Sequence, residues 1–347
     1  MGEERGAGSG EAGGRGASPA GVGATGANGP AAVGAALAGR TIVVTGATGQ
    51  VGEPVALALA AAGSNVVAGA RFTDATARAR LEQGGVTCVA VDLGAGEVGD
   101  LPAEADVVLN FAVAKSNRWA TDLDANVGGL AALMEHHQRA SAFVHCSTTA
   151  VYKPLGHHVF DEDGPLGDNH AVWPFLQTYS ISKIAAEATA RWAARRFALP
   201  TTIARLSVPY GDRGGWPAFH LELMRAGKPV PVHVDAPSVY HPIHERDIVA
   251  MVPDLVEAAA VPATVVNWGG DEPVSIEEWC GYLAELTGLD VVFAPTTDTI
   301  DSVQIDLTRM HRLLGHTSVP WRTGMRSMVV ARHPELLARG GTTTTPS

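Results

Sequence analysis

The sequence predicts an α/β fold built on a doubly wound parallel sheet, followed by a smaller and more irregular C-terminal region. Three observations lead there. Short β-branched runs alternate with Ala- and Leu-rich helical stretches. The first run passes into a glycine-rich loop that opens a helix. Pro and Gly then thicken from Pro209 to Pro242, where the regular alternation stops.

Residues 1–38 are almost all Gly, Ala and Ser with short charged patches, and such a segment cannot bury enough apolar surface to offset its ordering entropy. A disordered tail is expected there. Order is expected to begin with Thr41-Ile42-Val43-Val44, a β-branched run of the kind that sits in a sheet covered on both faces. A helix from about Glu53 to Ala62 follows, then a strand at Asn65 to Ala68, a helix near Ala75 to Gln83, and strands at Val86 to Val91 and Asp106 to Phe111. A helix around Asn126 to Arg139 leads to a fifth strand at Phe143 to Cys146. Helical connections of this length imply right-handed crossovers that put helices on both faces of the sheet. The low-complexity end, 341–347, is expected to fray.

Composition excludes several functions. With 25 basic against 36 acidic residues the formal charge is −11, and no Lys/Arg cluster offers a phosphate-backbone footprint, so nucleic acid is not an expected partner. No apolar stretch reaches the roughly 20 residues that span a bilayer, and the N-terminus carries no secretory pattern. A cytoplasmic protein is expected. Cys88, Cys146 and Cys280 are too few and scattered for a disulfide framework and read as buried thiols. His136-His137 and His157-His158 lack a metal-ligand pattern, so no metal is expected.

Two motifs carry chemistry. Thr45-Gly46-Ala47-Thr48-Gly49-Gln50-Val51-Gly52 is a T-G-x-x-G-x-x-G loop between a strand and a helix, where glycines let backbone N–H groups approach a pyrophosphate at the positive helix end. Tyr179-Ser180-Ile181-Ser182-Lys183 places a phenol and an ammonium on one helical face. A free phenol titrates near 10, and a neighbouring cation is expected to lower that value so that Tyr179 can exchange a proton with a substrate oxygen.

With the turn Cys146-Ser147-Thr148-Thr149-Ala150-Val151-Tyr152, these motifs resemble the extended short-chain dehydrogenase/reductase family of the NAD-dependent epimerase/dehydratase type. The resemblance covers about residues 40–330, is strong through Tyr210, and thins beyond. It implies a Rossmann-type dinucleotide-binding domain over 39–212 and a smaller substrate-binding region over 213–340, part of which, about 239–268, returns to the first domain. In its terms Gly46, Thr48, Gly49, Gln50, Val51 and Gly52 surround the cofactor phosphates, and Asp92-Leu93 meets the adenine. Phe111 and Ala112 lie along the cofactor, with Lys115 near its ribose or phosphates. Asn126 supports the active-site backbone. Thr148, with Ser147 as the fallback, hydrogen-bonds the reacting oxygen, Lys183 also holds the nicotinamide ribose, and Pro209 belongs to the segment passing the nicotinamide. A homodimer paired through the helices near 126–139 and 179–196 is implied as well.

Departures from the family pattern narrow the expectation. Thr149-Ala150 stands where sugar-nucleotide dehydratases of the family carry Asp-Glu, so elimination of water is disfavoured. Val208 and Tyr240 replace an Asn and an Arg that bind a substrate diphosphate, which disfavours a nucleoside-diphosphate sugar unless Arg213, Arg225 or Arg246 compensates. Trp173, Phe175, Tyr210, Trp216, Tyr240 and Trp268 are candidates for an aromatic pocket, with His233, His241 and His244 as further candidates. At the end of the second strand, Gly69-Ala70-Arg71 lacks the acid that selects NAD, and Arg71 can pair with a 2′-phosphate. NADP is therefore favoured over NAD, with Asp74 as the residue able to reverse that. The expected function is hydride transfer on a carbonyl or alcohol of a small or medium, non-nucleotide substrate. Epimerisation of a nucleotide sugar through a transient ketone is the alternative. A non-catalytic dinucleotide sensor is a third reading, disfavoured because Tyr179 and Lys183 are both kept.

Overall fold

The computed structural model describes residues 36–337. Its centre is a seven-stranded parallel sheet formed by β1 (Thr41–Thr45), β2 (Asn65–Ala70), β3 (Thr87–Ala90), β4 (Val107–Asn110), β5 (Ala142–Thr148), β6 (Thr201–Leu206) and β7 (Thr264–Trp268). The spatial order is β7-β6-β5-β4-β1-β2-β3, so the chain reverses direction across the sheet between β1 and β4. Ligands of open α/β sheets bind in the crevice beyond the strand ends at such a switch point.

Side-chain alternation along the strands divides the core in two. Ile42 and Val44 of β1 and Val107 and Leu109 of β4 face one side, packing with Val55 and Leu59 of α1 (Gly52–Ala61). Val43 and Val108 face the other, against Leu130, Leu133 and Met134 of a helix at Gly129–His136 and Ala186, Ala190 and Ala193 of a helix at Tyr179–Phe197. The alanine stripe on the second helix lets it lie close to the sheet. Every residue of β4 and of β6 is buried, as strands covered on both faces must be.

After α2 (Ala75–Gln83) and β3, the chain differs from expectation at the next helix. It begins as α3 (Trp119–Leu123), widens into a π turn at Asp124–Gly128, and continues as α4 (Gly129–His136). The first turn carries no apolar periodicity. What holds it is Asp122, buried, accepting from the Ser116 N–H at 2.8 Å and from the Thr178 hydroxyl at 2.6 Å. Helix α5 (Tyr179–Phe197) follows, after which the chain forms β6 and α6 (Trp216–Arg225). The segment at 264–268 pairs beside β6 as β7. Helix α7 (Ile276–Thr287), started by a Ser275/Glu278 capping box, and α8 (Trp321–Arg332) complete the C-terminal packing around buried Trp268 and Trp279.

Three expectations are corrected. Residues 1–35 and 338–347, holding most of the expected tails, lie outside the described residues, but Leu37, assigned to the N-terminal tail, is in the core, with its carbonyl accepting from Ser64 Oγ at 2.8 Å. Cys88 and Cys146 are partly exposed, and only Cys280 is a buried thiol. Tyr210 and Trp268 are core residues rather than pocket walls, the Tyr210 hydroxyl donating to the Trp321 carbonyl at 3.2 Å. Among the described residues no helix is long and apolar enough to cross a membrane.

Candidate active site

The glycine loop turns directly off the buried end of β1. Gly46 has φ +69°, and a Cβ there would collide with the Phe111–Ala112 backbone; one on Gly52 would collide with the Gly46 carbonyl. The loop therefore presses against the end of β4 as only glycine allows. Thr45 Oγ1 donates to Asn110 Oδ1 at 2.7 Å, and the Ala112 N–H donates to the same oxygen at 3.1 Å, which shapes the floor of the crevice.

A cleft lies over these strand ends in two joined parts. The first, about 480 Å³, is lined by Gly46, Thr48, Gly49, Arg71, Asp92, Leu93, Ala112 and Asn126. The second, about 510 Å³, is reached past Gly46, Gly49 and Phe111 and contains Gln50, Val51, Gly52, Lys115, Ser147, Thr148, Tyr179, Lys183 and Pro209. The cleft thus gathers every cofactor and catalytic residue expected from the sequence. The cradle that a Cβ would fill, at the N-terminal end of α1, fits a dinucleotide pyrophosphate.

Several of these side chains have defined partners. Gln50 donates to the Pro209 carbonyl at 3.0 Å, joining the loop to the far wall. Asp92 accepts from the Gly94 N–H at 2.9 Å, so it caps a short turn and also faces the cleft. Asn126, in the π turn, accepts from the Ala114 N–H at 2.8 Å and donates to the Ala114 carbonyl at 3.0 Å, clamping the backbone just before Lys115. The Lys115 ammonium lies 5.0 Å from the centroid of the Tyr179 ring. Asp74 caps α2 by accepting from the Thr76 N–H at 2.8 Å and does not line the cleft, whereas Arg71 does.

The electrostatics of the catalytic group differ from the expectation of a phenol acidified by Lys183. Burial pushes the Tyr179 phenol up to about 12, against the opposing pull of its hydrogen bond with Thr148. Burial also brings Lys183 down to about 8, and its ammonium donates to the Cys146 carbonyl at 2.8 Å. Burial dominates at Tyr179, and the Lys183 ammonium is directed at a carbonyl. At neutral pH Tyr179 is thus a protonated phenol, a proton donor. Ser147 is also resolved: its hydroxyl donates to Glu187 Oε1 at 2.7 Å, at 3% exposure, inside the buried Glu187–Arg205 pair. Thr148 is the hydroxyl left for a reacting oxygen.

On the substrate side the wall is Trp173, Leu176, Val208, Trp216, Phe219 and Tyr240. None of the three arginines that were expected to be able to compensate lines it. Arg213 pairs with Glu53, Arg225 with Glu222 at 2.7 Å, and Arg246 is exposed on the helix at Glu245–Ala250. Tyr240 turns its hydroxyl to the Asp301 carbonyl at 2.8 Å. Phe175 is exposed outside the cleft. The candidate histidines are committed elsewhere: His233 lies 3.2 Å from Asp301, His241 2.9 Å from the Gly270 carbonyl, and His244 accepts from the Arg246 N–H at 3.2 Å. The histidine in the cleft is His170, which sequence reasoning missed because it sits in an irregular loop without periodic pattern.

The model of the family described as NAD dependent epimerase/dehydratase matches residues 42–266. The chain belongs to that family. It is an enzyme of the oxidoreductase/epimerase type, and the match runs from β1 into β7, through every strand that builds the cleft. No curated protein matches the chain. Among solved structures the chain is similar to MoeE5 in complex with UDP-glucuronic acid and NAD, at 25% identity and TM-score 0.69, covering 85% of this chain and 100% of that one. It is similar also to epimerase Mth375 from Methanothermobacter thermautotrophicus, at 20% identity and TM-score 0.73, covering 89% and 97%. A third is the dTDP-glucose 4,6-dehydratase from Bacillus anthracis in complex with NAD, at 20% identity and TM-score 0.71, covering 87% and 99%.

Proposed function

We propose that this member of the epimerase/dehydratase family transfers a hydride to or from the carbonyl or alcohol carbon of a small or medium, non-nucleotide substrate. The observation that carries the reading is the Tyr179 phenol beside Thr148 and Lys183, in a cleft whose substrate wall is apolar and, among the described residues, holds no guanidinium. The dinucleotide, once bound, supplies or accepts the hydride. Tyr179 gives its proton to the carbonyl oxygen as negative charge builds there, and Thr148 donates a second hydrogen bond to that oxygen. Lys183, one turn along α5, keeps a positive charge behind the phenol below about pH 8. NADP is the dinucleotide favoured by Arg71 at the cleft and by the capping role of Asp74, while two of the similar structures named above carry NAD. A homodimer paired through α4 and α5 belongs to the same reading, and sedimentation would test it.

Nucleotide-sugar epimerisation is the second reading, favoured by the UDP-sugar in the MoeE5 structure. The two separate in one screen. Oxidation of NADPH or NADH by simple carbonyl compounds, with no interconversion of UDP-sugars, supports the first; interconversion of UDP-sugars without carbonyl reduction overturns it.

A further inference from the structure

His170 sits ten residues before Ser180, in the loop leading to α5, and only 4% of it is exposed. Its ring meets the Tyr179 ring edge-on, with centroids 5.1 Å apart, and it lines the substrate half of the cleft beside Trp173. The hydrogen bonds around it settle which ring nitrogen carries the proton. Ser180 Oγ is fully buried and donates its single hydrogen to the Ala150 carbonyl at 2.7 Å. The same oxygen receives the His170 backbone N–H at 3.3 Å and lies 2.9 Å from His170 Nδ1. With the serine hydrogen spent, two lone pairs would face each other unless Nδ1 carries a hydrogen and donates it. Burial and the nearby Lys115 charge bring the imidazole down to about 4, so the ring is neutral at pH 7. A neutral imidazole with hydrogen on Nδ1 leaves Nε2 as a bare acceptor.

We propose that His170 Nε2 is a specificity-determining acceptor that selects substrates bearing a hydroxyl or N–H donor close to the reacting carbonyl. This rests on the carbonyl reading above. The rest of that wall is apolar, and His170 Nε2 is not among the buried atoms left without a partner, so it opens on the cleft, where a substrate donor meets it. The substrate class is therefore a hydroxycarbonyl compound whose apolar body packs on Trp173, Trp216 and Phe219. Lys115 and Tyr179 face the same space as donors, so the acceptor is the complementary group of the set.

The probes are 2-hydroxyacetophenone and acetophenone, titrated by calorimetry into the protein saturated with oxidised dinucleotide, where no hydride can move. The hydroxyl compound should bind about 5- to 10-fold more tightly, one hydrogen bond's worth. His170→Phe should abolish that ratio and leave acetophenone affinity within about twofold; His170→Gln, which keeps an acceptor, should restore part of it. Nitrogen NMR of labelled protein, independent of any ligand, should show His170 with hydrogen on Nδ1 and a bare Nε2. Equal affinities for the two probes in the wild type, no binding of either, or hydrogen on Nε2 would overturn the proposal. Carbonyl reduction is measured separately by NADPH or NADH oxidation: tighter binding of the hydroxyl probe without turnover leaves the His170 inference standing and sinks the reductase reading.

Discussion

Replacing Glu187 by Ala removes one half of a buried ion pair. Arg205 and Glu187 side chains are each 1% exposed, joined by Arg205 Nε to Oε1 at 2.9 Å and Nη2 to Oε2 at 2.8 Å. Without Glu187 the guanidinium keeps its charge and its Tyr152 and Glu162 contacts but loses its counter-ion, and Ser147 loses its acceptor. Orphaning one partner of a buried pair costs about 3–5 kcal/mol. At about 2 °C per kcal/mol for a chain of this size, the melting temperature should fall by roughly 6–10 °C. Circular dichroism melts of the ligand-free protein would measure it. Replacing both residues with Met removes the stranded charge, so the double variant should recover at least half of the loss. The sign with pH also follows. Burial raises the Glu187 carboxyl, but the Arg205 hydrogen bonds and charge outweigh it and hold it below its ordinary value of 4.5. The pair's stabilisation is thus present above about pH 4.5 and is lost as pH falls through the depressed value. A melting shift under about 2 °C, or a double variant no better than the single, would refute a buried charge as the cause.

Tyr179→Phe should cut kcat by about 10²- to 10⁴-fold while dinucleotide affinity, read by calorimetry, stays unchanged; retained turnover would remove Tyr179 as proton donor. Arg71→Ala should raise KM for NADPH about tenfold and leave KM for NADH alone, and equal effects on both would dismiss the 2′-phosphate contact. Because Lys183 loses its charge as pH rises through about 8, the rate should show an alkaline limb near that value that a Lys183→Met variant lacks, and an identical limb in both would exclude Lys183 as its source. Gly52→Ala drives a methyl group into the Gly46 carbonyl, so dinucleotide binding should be lost while the melt stays cooperative; wild-type affinity would mean that the loop can shift at little cost.

Much of this protein was legible in its residues. The strands of the first half and the helix Ala75–Gln83 stand where apolar runs and helical stretches put them, and the glycine loop and the Tyr179–Lys183 spacing come together in one cleft. Those features depend on neighbours along the chain: strand alternation, helical repeat and loop length act over a few residues, and the covalent backbone transmits them. The tertiary structure decided the rest. Asp122 starts α3 early because Thr178 waits 56 residues away. Ser147 is drawn off to Glu187, 40 residues on, Lys183 to the Cys146 carbonyl, 37 residues back, and burial raises the Tyr179 phenol. Arg213 and Arg225 are claimed by carboxylates, and His170 receives its tautomer from Ser180 and its neutrality from burial. Protonation and partner choice are set by desolvation and by which segments meet across the fold, and no spacing along a single segment records either.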